Sequence, residues 1–105
     1  MNKKKIREKF RNEVFKRDGY KCKICGRNDA KLDAHHITDR SEMPNGGYVK
    51  ENGISLCDIG EIGCHFKAEQ YHLGKKPIKG FMPDELYKII KSSYELAVVE
   101  SLKLE

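Results

Sequence analysis

At 105 residues the chain has room for one small domain and not for two independent cores. Hydrophobic residues make up 38% against 35% charged, so the core is modest, and a domain this small calls for a staple such as disulfides or a metal. Lys plus Arg total 21 against 16 Asp plus Glu, giving a net charge of +5, which leans toward a polyanionic partner. No stretch reaches the apolar length of a membrane span, and the lysine-rich start lacks a signal-peptide apolar region, so the expected location is the cytoplasm. In that compartment the four cysteines are expected as thiolate ligands rather than disulfides. The closing Leu104-Glu105 is taken as an expression remnant without functional weight.

In chain order, residues 3–17 predict a helix. Ile6, Phe10 and Val14 recur at i, i+4 and i+8, Phe15 widens the stripe, and Lys and Arg fill the other faces. That basic surface either lies near phosphates or is simply solvated. Asp18-Gly19 ends the helix. Tyr20 to Gly26 predicts a strand end and a tight knuckle, followed by a strand over Leu32–Ile37. Residues 38–51 carry Pro44 and Asn45-Gly46-Gly47 and predict a loop. Asn52-Gly53 is a turn signal, and Ile54 to Cys57 alternates as a second strand. Cys64 to about His72 suits a helix that Gly74 would stop. After a basic linker over 75–80, Pro83-Asp84-Glu85 starts a long helix to about residue 102. Its apolar face, including Leu86, Ile90, Ala97 and Val98, is expected to pack on the rest of the domain.

The chemistry-bearing positions fall between those flanking helices. Cys22 and Cys25 have a zinc-knuckle spacing, whereas Cys57 and Cys64 have six residues between them where two to four is usual. Two such pairs can close one four-cysteine structural zinc site; the alternatives are free buried thiols or disulfides. His35 and His36 are neighbours on a strand, so their side chains leave opposite faces and favour two different jobs over shared ligation of one ion. His65, Glu69 and His72 share one face of the following helix, a ligand stripe suited to Mg²⁺, Mn²⁺ or a borderline metal. For Glu69 and His72 the plainer reading is an exposed helix face, and for His72 that reading is preferred.

The order Cys22-x2-Cys25, His35-His36, Asn52, Cys64-His65 resembles the HNH endonucleases, and more narrowly their small zinc-containing phage and bacterial forms. The likeness covers about Tyr20 to His72. It implies an α+β fold with a ββα-metal (His-Me finger) core over about 20–72, a four-cysteine zinc site, and flanking helices at 3–17 and 83–102. It also implies roles: His35 and His65 as ligands of a catalytic Mg²⁺ or Mn²⁺, with other divalent transition metals as options, and His36 as general base. Asn52 would pin the loop or approach the metal, and Glu69 stands where members often place a further ligand. The activity implied is phosphodiester hydrolysis on DNA, with Arg40 and Lys67 as possible phosphate clamps. A monomer would nick and a homodimer could cut both strands. The competing expectation is a non-catalytic zinc-ribbon module that binds nucleic acid through its basic surface.

Overall fold

Asn2 opens the first helix by accepting a hydrogen bond from the Lys5 N–H at 2.9 Å, and α1 then runs Lys3–Arg17 as its apolar spacing requires. The fold is that of a computed structural model and is described for residues 2–104, so Glu105 of the supposed remnant lies outside the described residues. Two antiparallel strands follow, β1 (Leu32–His36) and β2 (Gly53–Cys57), with Leu32 opposite Cys57 and His36 opposite Gly53. Next come α2 (Cys64–His72), α3 (Pro83–Ile89) and α4 (Tyr94–Leu102). The protein is thus a small α+β domain with four helices and a two-stranded sheet.

Helix α1 lies directly on β2. Phe10 and Val14 are buried, and a Cβ placed on Gly53 would stand 2.6 Å from Val14 and 2.7 Å from Phe10. No side chain fits there, so the glycine serves close helix–strand packing. The turn expected at Asn52-Gly53 is not formed in that way: Gly53 is extended at φ −129° and ψ 148° and begins the strand. The end of α1 is fastened to the same strand by polar bonds. Asp18, only 2% exposed, accepts from the Ser55 N–H at 2.8 Å and from Arg17 Nε at 2.8 Å. Arg17 also donates to the carbonyls of Lys50 and Gly53. A buried carboxylate without such partners would cost several kcal/mol, at roughly the scale of a broken buried ion pair.

Three expectations need correction. Tyr20–Gly26 contains no strand; it is a turn whose Lys23 N–H donates to Ser55 O at 2.9 Å. β1 ends at His36 rather than Ile37, although the Ile37 N–H still reaches Asn52 O at 2.9 Å. The single helix expected over 83–102 is broken at Lys91, which takes φ 58°. Ser92 and Ser93 explain the break. Ser92 Oγ donates to Glu51 O at 2.8 Å, and Ser93 caps α4 by accepting from the Leu96 N–H at 3.0 Å. Ser93 serves better as a cap than as helix interior, and Ser92 ties the break to the loop before β2.

Every residue of β2 is buried, and Ile54 and Leu56 join Ile37, Ala68, Leu86 and Ala97 in one core. That core collects residues from both strands' surroundings and from α2, α3 and α4, so the sheet is covered by helices. Among the described residues no helix is long and apolar enough to cross a membrane.

Candidate metal centres and active-site pocket

The four cysteines converge. Cys22 and Cys25 lie on the turn after α1, Cys57 closes β2 and Cys64 opens α2, and their Sγ atoms all lie within 4.8 Å of one another. Cys25 Sγ and Cys57 Sγ are 3.8 Å apart. Thiolates held about 2.3 Å from a tetrahedral zinc are separated by about 3.8 Å, whereas a disulfide requires about 2.05 Å. All four are free cysteines in this fold. The six-residue spacing of the second pair is absorbed by a folded loop in which the Gly63 N–H donates to Gly60 O at 2.9 Å. A Cβ on Gly63 would lie 2.8 Å from Cys57 O, so only glycine lets the loop return against the strand end.

The sulfurs also behave as a crowded set of incipient charges. Burial would raise the Cys22 thiol, but donors from the backbone of Cys25, Cys57 and Ile24 bring it down to about 7. Burial, together with the neighbouring Cys22 and Cys57 sulfurs, pushes the Cys64 thiol far up. A cation among them relieves that repulsion and favours the thiolates. The cluster could therefore hold a structural metal ion such as zinc.

Beside it lies an open pocket of about 500 Å³ between α1, the end of β1 and α2. His35 points from β1 toward α2 and is 2% exposed, with Nδ1 3.1 Å from Glu69 Oε1. That contact lacks the alignment of a hydrogen bond, leaving a buried ring nitrogen without a partner. His65, in the first turn of α2, places Nε2 3.2 Å from Asp33 Oδ2 and 3.4 Å from Glu69 Oε1. Ligating atoms of Asp33, His35 and His65 lie within 4.8 Å of one another. Ligands about 2.1 Å from an octahedral ion are about 3.0 Å apart when adjacent, and the Asp33–His65 contact at 3.2 Å matches that spacing, so the group could hold one ion. The His35 and His65 imidazoles hold the Glu69 carboxyl far below the usual carboxylate range. Glu69 in turn raises His65 against its burial, with Asp33 helping, while burial lowers His35.

Asp33 was not anticipated, although a strand places residues two apart on one face and so sets it beside His35. His72 also departs from expectation. Half-buried, it lines the same pocket and its Nε2 stands 3.2 Å from the His36 carbonyl oxygen, so it is not a free helix face. Lys67 does not join the site; its ammonium lies over the Phe81 ring, 5.6 Å from the centroid. Two residues beyond His65, it is turned about 200° around the helix, away from the ligand stripe.

His36 leaves the other face of β1, yet as the last strand residue it still borders the pocket. Its ring stacks on Phe10 at 4.5 Å and meets Tyr48 edge-on at 4.8 Å. Burial, reinforced by the charges of His35 and Arg40, holds it down to about 4, so it is neutral near pH 7. Asn52 is wholly buried and its amide is taken up by neighbouring protein groups. Its Oδ1 accepts from the Thr38 N–H and the Tyr87 hydroxyl, and its Nδ2 donates to Thr38 O and Gly47 O. It therefore ties both ends of the 38–52 connection together, two residues from His36.

Cationic side chains also line the pocket, with Asp39 beside them. Arg7 and Arg11 of α1 and Arg40 all border the pocket and are exposed. Among the described residues none of the three lies within ion-pair distance of a carboxylate. Arg40 donates to the Tyr48 hydroxyl at 2.9 Å, and the Arg7 guanidinium sits 5.8 Å from the Tyr48 ring centre. Arg7, Arg11, Phe10 and Tyr48 come from parts of the chain whose meeting no local pattern announced. No family model, curated protein or solved structure matches this chain.

Proposed function

We propose that the protein is a metal-dependent DNA endonuclease with a ββα-metal core, in which His36 is the general base and His35, His65, Asp33 and Glu69 hold one catalytic divalent ion. The observation that carries the reading is the placement of a neutral, aromatic-boxed His36 in a pocket that also gathers the side chains of His35, His65, Asp33 and Glu69 and three arginines with no ion-pair partner among the described residues. The resemblance of the motif order supplies the reaction class, and the pocket has a part for each of its needs.

His36 takes a proton from water. Its neutrality near pH 7 leaves the ring able to do so, and a phosphate anion entering beside it raises its basicity. Asn52 fixes Thr38 and thereby the end of the strand that aims His36. Arg40 and the α1 arginines neutralise phosphate oxygens around the scissile bond. A divalent ion held by the histidine cluster would polarise the phosphate and stabilise charge on the departing 3′ oxygen. Products of this class carry a 5′-phosphate and a 3′-hydroxyl. Two imidazoles in the donor set favour Mn²⁺ over Mg²⁺, which prefers oxygen ligands.

The test is a plasmid-nicking assay in Mg²⁺, Mn²⁺, Ni²⁺ and EDTA, run beside His36→Ala. We expect nicking in Mn²⁺ exceeding that in Mg²⁺, none in EDTA, and a loss of about 10²–10⁴-fold in His36→Ala with DNA and Mn²⁺ binding retained. Equal cutting by His36→Ala would remove the base from the mechanism. No metal-dependent cutting under any condition would leave the non-catalytic zinc-ribbon module as the better description.

A further inference from the structure

His65 turns its two ring nitrogens toward different neighbours. Nε2 faces Asp33 and Glu69 at 3.2 and 3.4 Å, while Nδ1 lies 3.7 Å from Asp58 Oδ1. Asp58 does not border the pocket. It is the first residue after Cys57, and thus opens the loop that carries the chain round to Cys64. Its N–H donates to Lys31 O at 2.8 Å, and its second carboxylate oxygen is 3.8 Å from Lys31 Nζ. The backbone of this carboxylate is therefore fixed from behind while one oxygen is offered to the histidine.

We propose that Asp58 is a positioning residue for the histidine metal centre: its carboxylate, facing Nδ1 of His65, favours the ring proton on that nitrogen and so leaves the Nε2 lone pair to the ion. This rests on His65 being a ligand, but not on DNA cleavage. A neutral imidazole carries one proton and can place it on either nitrogen; a metal needs the other one bare. With Nε2 flanked by two carboxylates, the unaided ring is drawn to put its proton there, where it blocks ligation. A carboxylate at Nδ1 opposes that draw and makes the ligating nitrogen more basic. The long Cys57–Cys64 spacing then has a purpose beyond closing the sulfur cluster. Metal in the cysteines holds the loop, the loop holds Asp58, and Asp58 holds the tautomer of His65.

The experiment uses the full chain with zinc in the cysteine cluster, titrated with Mn²⁺ and followed by the electron-spin signal of the free ion. Asp58→Ala is expected to weaken Mn²⁺ binding about 10–100-fold, as loss of a histidine-orienting partner does elsewhere. Asp58→Asn, which keeps an acceptor but not the charge, falls between wild type and Ala. Nitrogen NMR of the imidazole, without Mn²⁺, should show the Nδ1–H form of His65 in wild type and a shift toward Nε2–H in Asp58→Ala. Unchanged Mn²⁺ affinity in Asp58→Ala beside weakened binding in His65→Ala overturns the role of Asp58 alone. Unchanged affinity in both variants overturns His65 as a ligand, and this inference with it.

Discussion

The cysteine cluster and the histidine cluster are joined by a single peptide bond, between Cys64 and His65, yet they differ in every property that matters to a metal. The first is four sulfurs, three of them on buried residues, drawn from a turn, a strand end and a helix start. The second mixes imidazole with carboxylate, and only His35 of its members is fully buried. The sulfur cluster is mostly enclosed by protein, with Cys25 at its exposed edge; the histidine cluster opens on a pocket. Closed sulfur sites fasten chains together, and sites with open positions admit water and substrate. The start of α2 thus sets a thiol of one candidate metal cluster beside an imidazole of the other, and the two clusters differ most in burial.

The largest expected effect tests that division. Structural zinc is worth about 10–16 kcal/mol in small zinc domains near neutral pH, at or above the roughly 5–15 kcal/mol by which most domains are stable. A strong chelator should therefore unfold this protein, as should Cys22→Ser, with loss of the cooperative melt in circular dichroism. His35→Ala should instead keep the fold and lose Mn²⁺ binding at the histidine cluster. A melting curve unchanged after verified metal removal would erase the contrast between the clusters.

Next in size is Asn52, which belongs to neither cluster but holds the connection between the strands. Asn52→Ala removes the side-chain partner of the Thr38 N–H and of the Thr38 and Gly47 carbonyls, while the Tyr87 hydroxyl keeps its bond to Thr38 Oγ1. At about 1–3 kcal/mol for each buried orphan, offset by local relaxation, a net loss of about 3 kcal/mol is expected in urea unfolding. Tyr87→Phe, removing one bond of the same set, should cost about 1 kcal/mol. A near-neutral Asn52→Ala would mean that the loop is held by its own backbone hydrogen bonds, such as Glu42 N–H to Asp39 O, instead.

The sequence showed local order well and long-range meetings poorly. The apolar spacing of Ile6, Phe10 and Val14 marked α1, and the two cysteine pairs bracketed the strands and α2. Strand alternation separated His35 from His36, and the same alternation would have pointed to Asp33, whose side shares the face of His35. Helical angle alone would likewise have excluded Lys67. The doubled serine at 92–93 ahead of Glu95 was a readable cap signal inside what periodicity presented as one helix. Other features had no local trace. Gly53 is explained by Phe10 and Val14 across the fold, not by the turn preference of Asn52-Gly53. The aromatic box around His36 joins residues 10, 36 and 48, and only tertiary packing brings them together.

The smallest expected effect concerns the cationic rim, and it asks whether nucleic acid follows the open cluster or the basic surface at large. Each phosphate neutralised on duplex DNA contributes about −0.9 to the slope of log affinity against log salt. Measured with His36→Ala protein to prevent cutting, Arg7→Ala together with Arg11→Ala should make the slope shallower by about 2. The accompanying loss of affinity should be modest, because single exposed contacts are screened by salt. Lys67→Ala carries the same change of charge per residue but sits over Phe81, away from the pocket, and should leave the slope unaltered. Equal effects at Lys67 and at the α1 arginines would show that binding is spread over the +5 surface. A selective effect at Arg7 and Arg11 would instead tie the backbone path to the histidine pocket, because those two arginines face the same opening as His36.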